Sequence, residues 1–287
     1  MNALRGQTIL VTGSARGIGA ATARGVAAAG GNLILTDVEH KPLHELAAEL
    51  GHETALAITA DVTDLASMEA AVATGIARFG GINTVVANAG IASYGSVLGV
   101  DAATFRRVLD INVNGVFHTV RAALPSLIES EGYILVVSAL GAFAPALGLT
   151  AYNASKAGSE HFANALRLEV AHHGIDVGVA YMSWIDTPLV QDARKDLRAF
   201  NELVSRLPPP LNRTTTVEAC ANAFVEGITK RRRRIYVPGW VRLVRASRNL
   251  ISSPLGDQSS LKYAPELLPK MDEEVHRLGR STSARNT

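Results

Sequence analysis

The chain has 287 residues, 47% of them hydrophobic and 19% charged, a balance that supplies a sizeable core and argues against wholesale disorder. Its 28 Lys and Arg stand against 26 Asp and Glu, so no chain-wide field recruits nucleic acid or an anionic membrane, and any such contact requires a local patch. The one cysteine, Cys220, excludes an intramolecular disulfide and a multi-cysteine zinc site, and reads as apolar filler on a helix.

Short β-branched apolar runs alternate with longer Ala- and Leu-rich helical patterns as far as about residue 240. TILVT (8–12) is a first strand and leads through TGSARGIG (12–19) into a helix over 17–29. NLILTD (32–37), a helix over 40–50, TALAITAD (54–61) and a helix over 64–79 opened by Thr63 or Asp64 come next. INTVVANAG (82–90), one long helix over 101–129, GYILVVS (132–138), a helix over 151–173 and DVGVAYM (176–182) follow. A helix over 216–229 capped by Thr216 and a seventh strand, IYVP (235–238), close the alternation. Strands that are apolar throughout are covered on both faces, as in a parallel sheet between helical layers, and the βα alternation is that of a doubly wound α/β fold.

Right-handed crossovers then place the loop after every strand on one edge of the sheet, where ligands bind. The polar, partly helical insertion 183–215, ending in Pro208-Pro209-Pro210, lies over that edge and reads as a substrate lid. Residues 1–240 are thus expected to form one catalytic domain, with 241–287 as an appendage. WVRLVRASRNLI (240–251) is predicted to be an amphipathic helix, apolar at 240, 241, 243, 244, 250 and 251, with Arg242, Arg245 and Arg248 on another face. The final GRSTSARNT is expected to be frayed. No window of about 18 uninterrupted apolar residues marks a membrane span, and the N-terminus lacks a signal-peptide pattern, so the expected location is the cytoplasm.

Within TGSARGIG, Gly13, Gly17 and Gly19 permit a tight turn and close backbone approach, with Ser14, Arg16 and Ile18 between them. The helix that starts here offers unpaired N–H groups and a partial positive charge to a pyrophosphate. Asp37 ends the second strand twenty residues beyond Gly17. A carboxylate there accepts hydrogen bonds from both ribose hydroxyls of an adenosine and repels a 2′-phosphate, unless it serves as a helix N-cap. Arg16 pulls the other way, since a guanidinium pairs with a 2′-phosphate. The strand-end carboxylate carries more weight, and the expected cofactor is NAD(H), with NADP(H) second. Asp61-Val62 and Asn88-Ala89-Gly90 end the third and fourth strands at the same edge, placed to hold adenine and ribose. Asp61 equally fits a turn, and Asn88 a brace between adjacent strands.

In AYNASKAG (151–158), Tyr152 and Lys156 sit at i and i+4 and share one helix face. A free phenol, with a pKa of about 10, is a poor base, and a neighbouring ammonium favours its phenolate. The spacing alone also fits plain packing. Ser138 closes the fifth strand, where a hydroxyl can bond the oxygen on which Tyr152 acts. Asn112, polar amid apolar neighbours, can hold a water leading protons away from Lys156 or repair a local helix irregularity.

Together TGSARGIG, Asp37, Asp61-Val62, NAG at 88–90, Asn112, Ser138 and YNASK resemble the short-chain dehydrogenases/reductases over about residues 5–240. The resemblance implies a Rossmann-type fold with seven parallel strands, a homodimer or homotetramer, and NAD(P)-dependent chemistry on CH–OH groups without a metal. Tyr152 is then the general acid/base, and Lys156 binds the nicotinamide ribose and lowers the tyrosine pKa. Ser138 orients substrate, and Asn112 supports a proton-relay water. The sequence departs after the sixth strand, where Met182-Ser183 replace the family's common Pro-Gly. Thr187 still matches the residue that bonds the nicotinamide carboxamide, and Ile185 offers its backbone.

Loops 91–100, 139–150 and 183–215, with Tyr94, Phe143, Leu147, Met182, Trp184 and Leu189 and no clustered charge, suit a mostly apolar secondary alcohol or ketone. A nucleotide-binding regulator without turnover, and an epimerase or dehydratase on the same scaffold, are the alternatives. KRRRR (230–234) reads first as a solvated turn at a helix C-terminus. With Arg242, Arg245 and Arg248 it also offers peripheral membrane contact through 230–251, a reading placed below subunit packing for the same helix.

Overall fold

Each β-branched run pairs with its neighbour in register, and seven strands form one parallel sheet in a computed structural model that describes residues 3–284. They are β1 (Thr8–Thr12), β2 (Asn32–Asp37), β3 (Ala55–Thr59), β4 (Thr84–Ala87), β5 (Tyr133–Val137), β6 (Asp176–Met182) and β7 (Arg234–Val237), in the order β3-β2-β1-β4-β5-β6-β7. Strand order reverses between β1 and β4, which opens a crevice at the strand ends between them.

The helices are α1 (Gly17–Ala28), α2 (His40–Leu50), α3 (Leu65–Phe79), α4 (Ala102–Leu109), α5 (Gly115–Glu129) and α6 (Thr150–Val170). They continue with α7 (Pro188–Asp196), α8 (Arg198–Arg206), α9 (Val217–Thr229), α10 (Val241–Ala246), α11 (Arg248–Ile251) and α12 (Pro254–Leu278). Side chains alternate across the sheet with a period of two. Ile9, Val11, Leu33 and Leu35 face α1, α2 and α9, where Val26, Leu43 and Phe224 meet them. Leu10, Ile34, Ile134 and Val136 face α3, α5 and α6, through Val72, Val120 and Ala163. Cys220 is fully buried in the first of these layers, and burial pushes its thiol up to about 12.

Three expectations are corrected. The helix over 101–129 is interrupted by a π-helical turn, Asp110–Asn114, which separates α4 from α5. The helix over 240–251 is two short pieces, α10 and α11. Within it Trp240, Val241 and Val244 pack on the core, Arg245 and Arg248 reach the buried Glu160 at 3.0 and 3.5 Å, and Arg242, Leu243 and Leu250 are exposed. A buried carboxylate needs a counter-charge more than two leucines need cover. Finally, GRSTSARNT is docked over its described part. Ser281, Thr282 and Ser283 are buried, Thr282 bridges Ser93, and the Tyr94 N–H donates to the Ser281 carbonyl at 2.7 Å. Residues 285–287 lie outside the described residues.

The 25-residue α12 carries Pro265 and Pro269 in its interior. Its Met271 and Val275 pack with Tyr94, Phe200 and Val204, so the C-terminal segment closes over the 183–215 insertion. Among the described residues no helix is long and apolar enough to cross a membrane, and no cluster of His, Cys, Asp and Glu is arranged to hold a metal ion.

Candidate active site

Gly17 takes φ +55°, and a Cβ there would meet nothing closer than Thr187 at 3.6 Å, so the turn into α1 leaves open space at the helix N-terminus. Gly19 is needed for packing instead: a Cβ would lie 2.2 Å from the Gly13 carbonyl. Gly13, Arg16, Gly17 and Ile18 line the crevice, together with Asp37, Asp61, Val62, Asn88, Ala89 and Gly90. Ser14 and Gly19 do not line it. The Ser14 hydroxyl is buried and donates to the Thr36 carbonyl at 3.2 Å, fastening the loop to β2.

Asp37 is held from two sides. Its Oδ2 accepts from the Ala15 N–H at 2.9 Å and its Oδ1 from the Glu39 N–H at 3.1 Å. Burial raises its pKa, opposed by the Ala15 N–H and by Arg16. Arg16 is itself ion-paired with Glu39. Asn88 braces the sheet, donating from Nδ2 to the carbonyls of Thr12 and Gly13 at 2.9 and 3.0 Å. Asp61 makes a turn, its Oδ1 accepting from the Thr63 N–H and hydroxyl, both at 2.8 Å.

Further along the crevice β5 and α6 bring Ser138, Tyr152 and Lys156 together. The Lys156 ammonium is buried, donates to the Val137 carbonyl at 2.9 Å and lies 5.7 Å from the centre of the Tyr152 ring. Burial brings the ammonium down to about 8 and pushes the phenol up to about 12. The expected lowering of the tyrosine pKa is therefore outweighed: loss of water around the phenol counts for more than the neighbouring cation.

Ser138 has no exposed surface, and its hydroxyl donates to the Lys156 carbonyl at 2.9 Å, tying the end of β5 to α6. Asn112 sits in the π-helical turn. Its Oδ1 accepts from the Ile91 N–H at 2.9 Å, and its Nδ2 donates to the Ile91 carbonyl and the Ser155 hydroxyl at 2.9 and 2.8 Å. The side-chain amide braces the loop after β4 against α6, which accounts for a helix irregularity at this position.

Thr187 and Met182 line the crevice, whereas Ile185 is buried and its carbonyl accepts from the Thr187 N–H at 2.7 Å. Phe143 is a core residue, edge-on to Tyr181 at 5.5 Å, and does not line the pocket. Tyr94 and Trp184 pack edge-on against Phe200 at 5.5 and 5.4 Å, forming the apolar backing of Tyr152 and Leu189. Lining residues that the sequence did not single out include Val38, Glu39, Arg107, Ile111, Asp192 and Ser283, of which Asp192 lies within the 183–215 insertion. The Ser283 hydroxyl donates to Asp192 Oδ2 at 2.6 Å, and Arg280 pairs with Asp196 at 2.8 Å, so the C-terminal segment fastens α7.

A crevice at the strand-order reversal, with a glycine turn at one end and a tyrosine–lysine pair at the other, defines the class of dinucleotide-dependent α/β oxidoreductases. Residues 7–198 match the family model described as short chain dehydrogenase, and the chain belongs to that family. It is 36% identical over 195 residues to Oxidoreductase UcpA of Salmonella typhimurium, covering 67% of this chain and 74% of that protein. It is 31% identical over 209 residues to the 3-alpha-(or 20-beta)-hydroxysteroid dehydrogenase of Mycobacterium tuberculosis, covering 72% and 79%. Trans-4-hydroxycyclohexanecarboxylate dehydrogenase of Sinomonas cyclohexanicum is 30% identical over 194 residues, covering 65% and 75%. A crystal structure of gox2181 superposes with a TM-score of 0.73 at 25% identity, covering 79% of this chain and 90% of that one.

Proposed function

We propose that the protein transfers hydride between NAD(H) and a mostly apolar secondary alcohol or ketone, with Tyr152 as general acid/base. The observation that carries this reading is the meeting of Tyr152 and Lys156 in the same crevice as the open glycine turn. The crevice residues fit a dinucleotide: the α1 N-terminus suits the pyrophosphate, and Asp37, already oriented by the Ala15 N–H, suits the ribose hydroxyls. When bound, the nicotinamide ring supplies the hydride donor or acceptor. Pairing of Arg16 with Glu39 neutralises the guanidinium that a 2′-phosphate would use, which supports NAD(H) over NADP(H).

The phenol of Tyr152 keeps its proton through the neutral range. It donates that proton to a carbonyl oxygen in reduction and is left as phenolate; oxidation starts from the phenolate, which accepts the proton of the substrate hydroxyl. Lys156 holds the nicotinamide ribose and the far side of Tyr152, and the Ser138 hydroxyl sets the position of the Lys156 backbone. Apolar Ile91, Met182 and Leu189 favour an apolar substrate, and the names of two relatives refer to a hydroxysteroid and a hydroxycyclohexanecarboxylate. Exposed Phe117, Ile128 and Leu168 on α5 and α6 provide apolar surface for the homodimer or homotetramer included in this reading.

Tyr152→Phe tests the assignment, because it removes the proton and keeps the ring. Turnover of a secondary-alcohol and ketone panel, followed by nicotinamide absorbance, is expected to fall about 10²–10⁴-fold. NAD(H) binding, followed by fluorescence titration, is expected to persist. Near wild-type turnover would refute the role of Tyr152. Absence of any net nicotinamide redox change in the unmodified protein across the panel would favour the epimerase or regulator readings.

A further inference from the structure

Away from the crevice, the stretch from Gly227 to Gly256 holds eight cations and no carboxylate, so the other twenty cations share the rest of the chain with all 26 carboxylates. The structure sorts these eight. Lys230 and Arg232 pair with Glu226 at 2.9 and 2.7 Å, and Arg231 pairs with Asp176 at 2.8 Å and donates to the carbonyls of Glu131, Gly132 and Gly174. Arg245 and Arg248 go to Glu160. Arg233, Arg234 and Arg242 make no ion pair among the described residues. Arg233 and Arg234 also lie near Arg167, whose pKa is lowered by burial and then by these two neighbours.

The same segment turns its leucines outward. Val241 is buried and Arg245 lies over the Tyr181 ring at 5.2 Å, so the inner side of α10 is occupied. Leu243 and Leu250 remain 65% and 60% exposed, with Arg242 next to Leu243 in sequence. Exposed leucines on two short helices, with unpaired Arg242 on the first of them and unpaired Arg233 and Arg234 at the start of the preceding strand, match what an anionic bilayer takes up: cations at the headgroups and apolar side chains at the acyl boundary.

We propose that α10 and α11, with Arg233, Arg234 and Arg242, form a docking surface for an anionic lipid bilayer. A second copy of the chain related by a two-fold axis would bring this cationic patch against itself, and nucleic acid would leave the leucines uncovered. Lipid satisfies both components. The proposal does not depend on the reaction assigned above.

The full chain is sedimented with phosphatidylcholine vesicles and with vesicles of phosphatidylcholine and phosphatidylglycerol. Binding is expected to the second kind only, and to weaken as salt rises to about 0.5 M. Replacing three cations by Arg233→Glu, Arg234→Glu and Arg242→Glu together is expected to lower partitioning by more than about 100-fold. Leu243→Ser with Leu250→Ser is expected to lower it by about tenfold. Both variants are expected to keep the nicotinamide turnover of the unmodified protein, which shows that they fold. Failure of the unmodified protein to bind the anionic vesicles, or undiminished binding by the triple variant, overturns the proposal. So does a change in oligomeric state caused by the leucine variant in a protein that binds no vesicles, which would assign the face to a contact between copies.

Discussion

Lys156→Met removes an ammonium that the fold holds at a cost. Burial lowers this group from 10.5 to about 8, a gap worth about 3 kcal/mol of folding free energy. The folded value lies below the unfolded one, so the protonated lysine opposes folding. That penalty is fully present below about pH 8 and disappears as pH rises toward 10.5. Methionine fills a similar volume without charge, but the Val137 carbonyl loses its donor, which takes back about 1 kcal/mol. The net gain is about 2 kcal/mol at pH 7, or about 3 °C in Tm for a chain of 287 residues.

The assay is denaturant and thermal unfolding of both proteins between pH 7 and 10 without nucleotide, since ligand binding would add its own stabilisation. The variant is expected to be the more stable at pH 7, to lose that advantage by about pH 10, and to lose turnover throughout. A variant of equal or lower stability at pH 7, or a stability difference independent of pH, would refute the reasoning. The expected pattern is a trade in which stability is given up for a charge beside Tyr152.

Asp37→Ala is expected to lower kcat/KM with NAD(H) by about 10–100-fold, through lost charge-assisted hydrogen bonds to the ribose, and to move preference toward NADP(H). Parallel assays with the two cofactors measure the ratio, and an unmodified protein that already prefers NADP(H) would show that Arg16 outweighs Asp37. Glu160→Gln takes the charge from a buried carboxylate that holds Arg245, Arg248 and the Tyr181 hydroxyl. It is expected to cost about 3 kcal/mol, seen as a fall in Tm, and an unchanged Tm would mean that the two arginines are served equally well by solvent.

The sheet was legible because its strands are buried on both faces, and continuous runs such as TILVT and DVGVAYM have few other uses in an alternating chain. The glycine turn and the Tyr152–Lys156 pair were legible because their spacing is local, set by one turn and one helix. What the sequence hid was decided at long range. Arg245 turns inward because Glu160, on another helix 85 residues away, needs a cation. Helix α12 was hidden by Pro265 and Pro269, which local propensity counts against any helix and which packing of Leu267, Met271 and Val275 overrides. Asn112 stood out as a polar residue amid apolar ones, yet only the fold shows that Ile91 and Ser155 hold its amide. Asp192 and Ser283 carry no local pattern at all, and they meet only because a distant segment returns to the lid.

That return has a kinetic meaning. The bonds that fasten the lid span 91 residues from Asp192 to Ser283, 84 from Asp196 to Arg280 and 176 from Ser96 to Asp272. The nucleotide end is closed partly by shorter loops, such as the 22 residues between Ala15 and Asp37, and partly by the 76 residues between Thr12 and Asn88. Long loops are costlier to close and late to form, and here the buried packing of Met271 and Val275 on Tyr94, Phe200 and Val204 offsets that cost. On connectivity the gate is expected to assemble after the cradle and to loosen before it. On the proposed function, mild denaturation is then expected to dull discrimination among alcohols before it costs the protein its grip on the nucleotide.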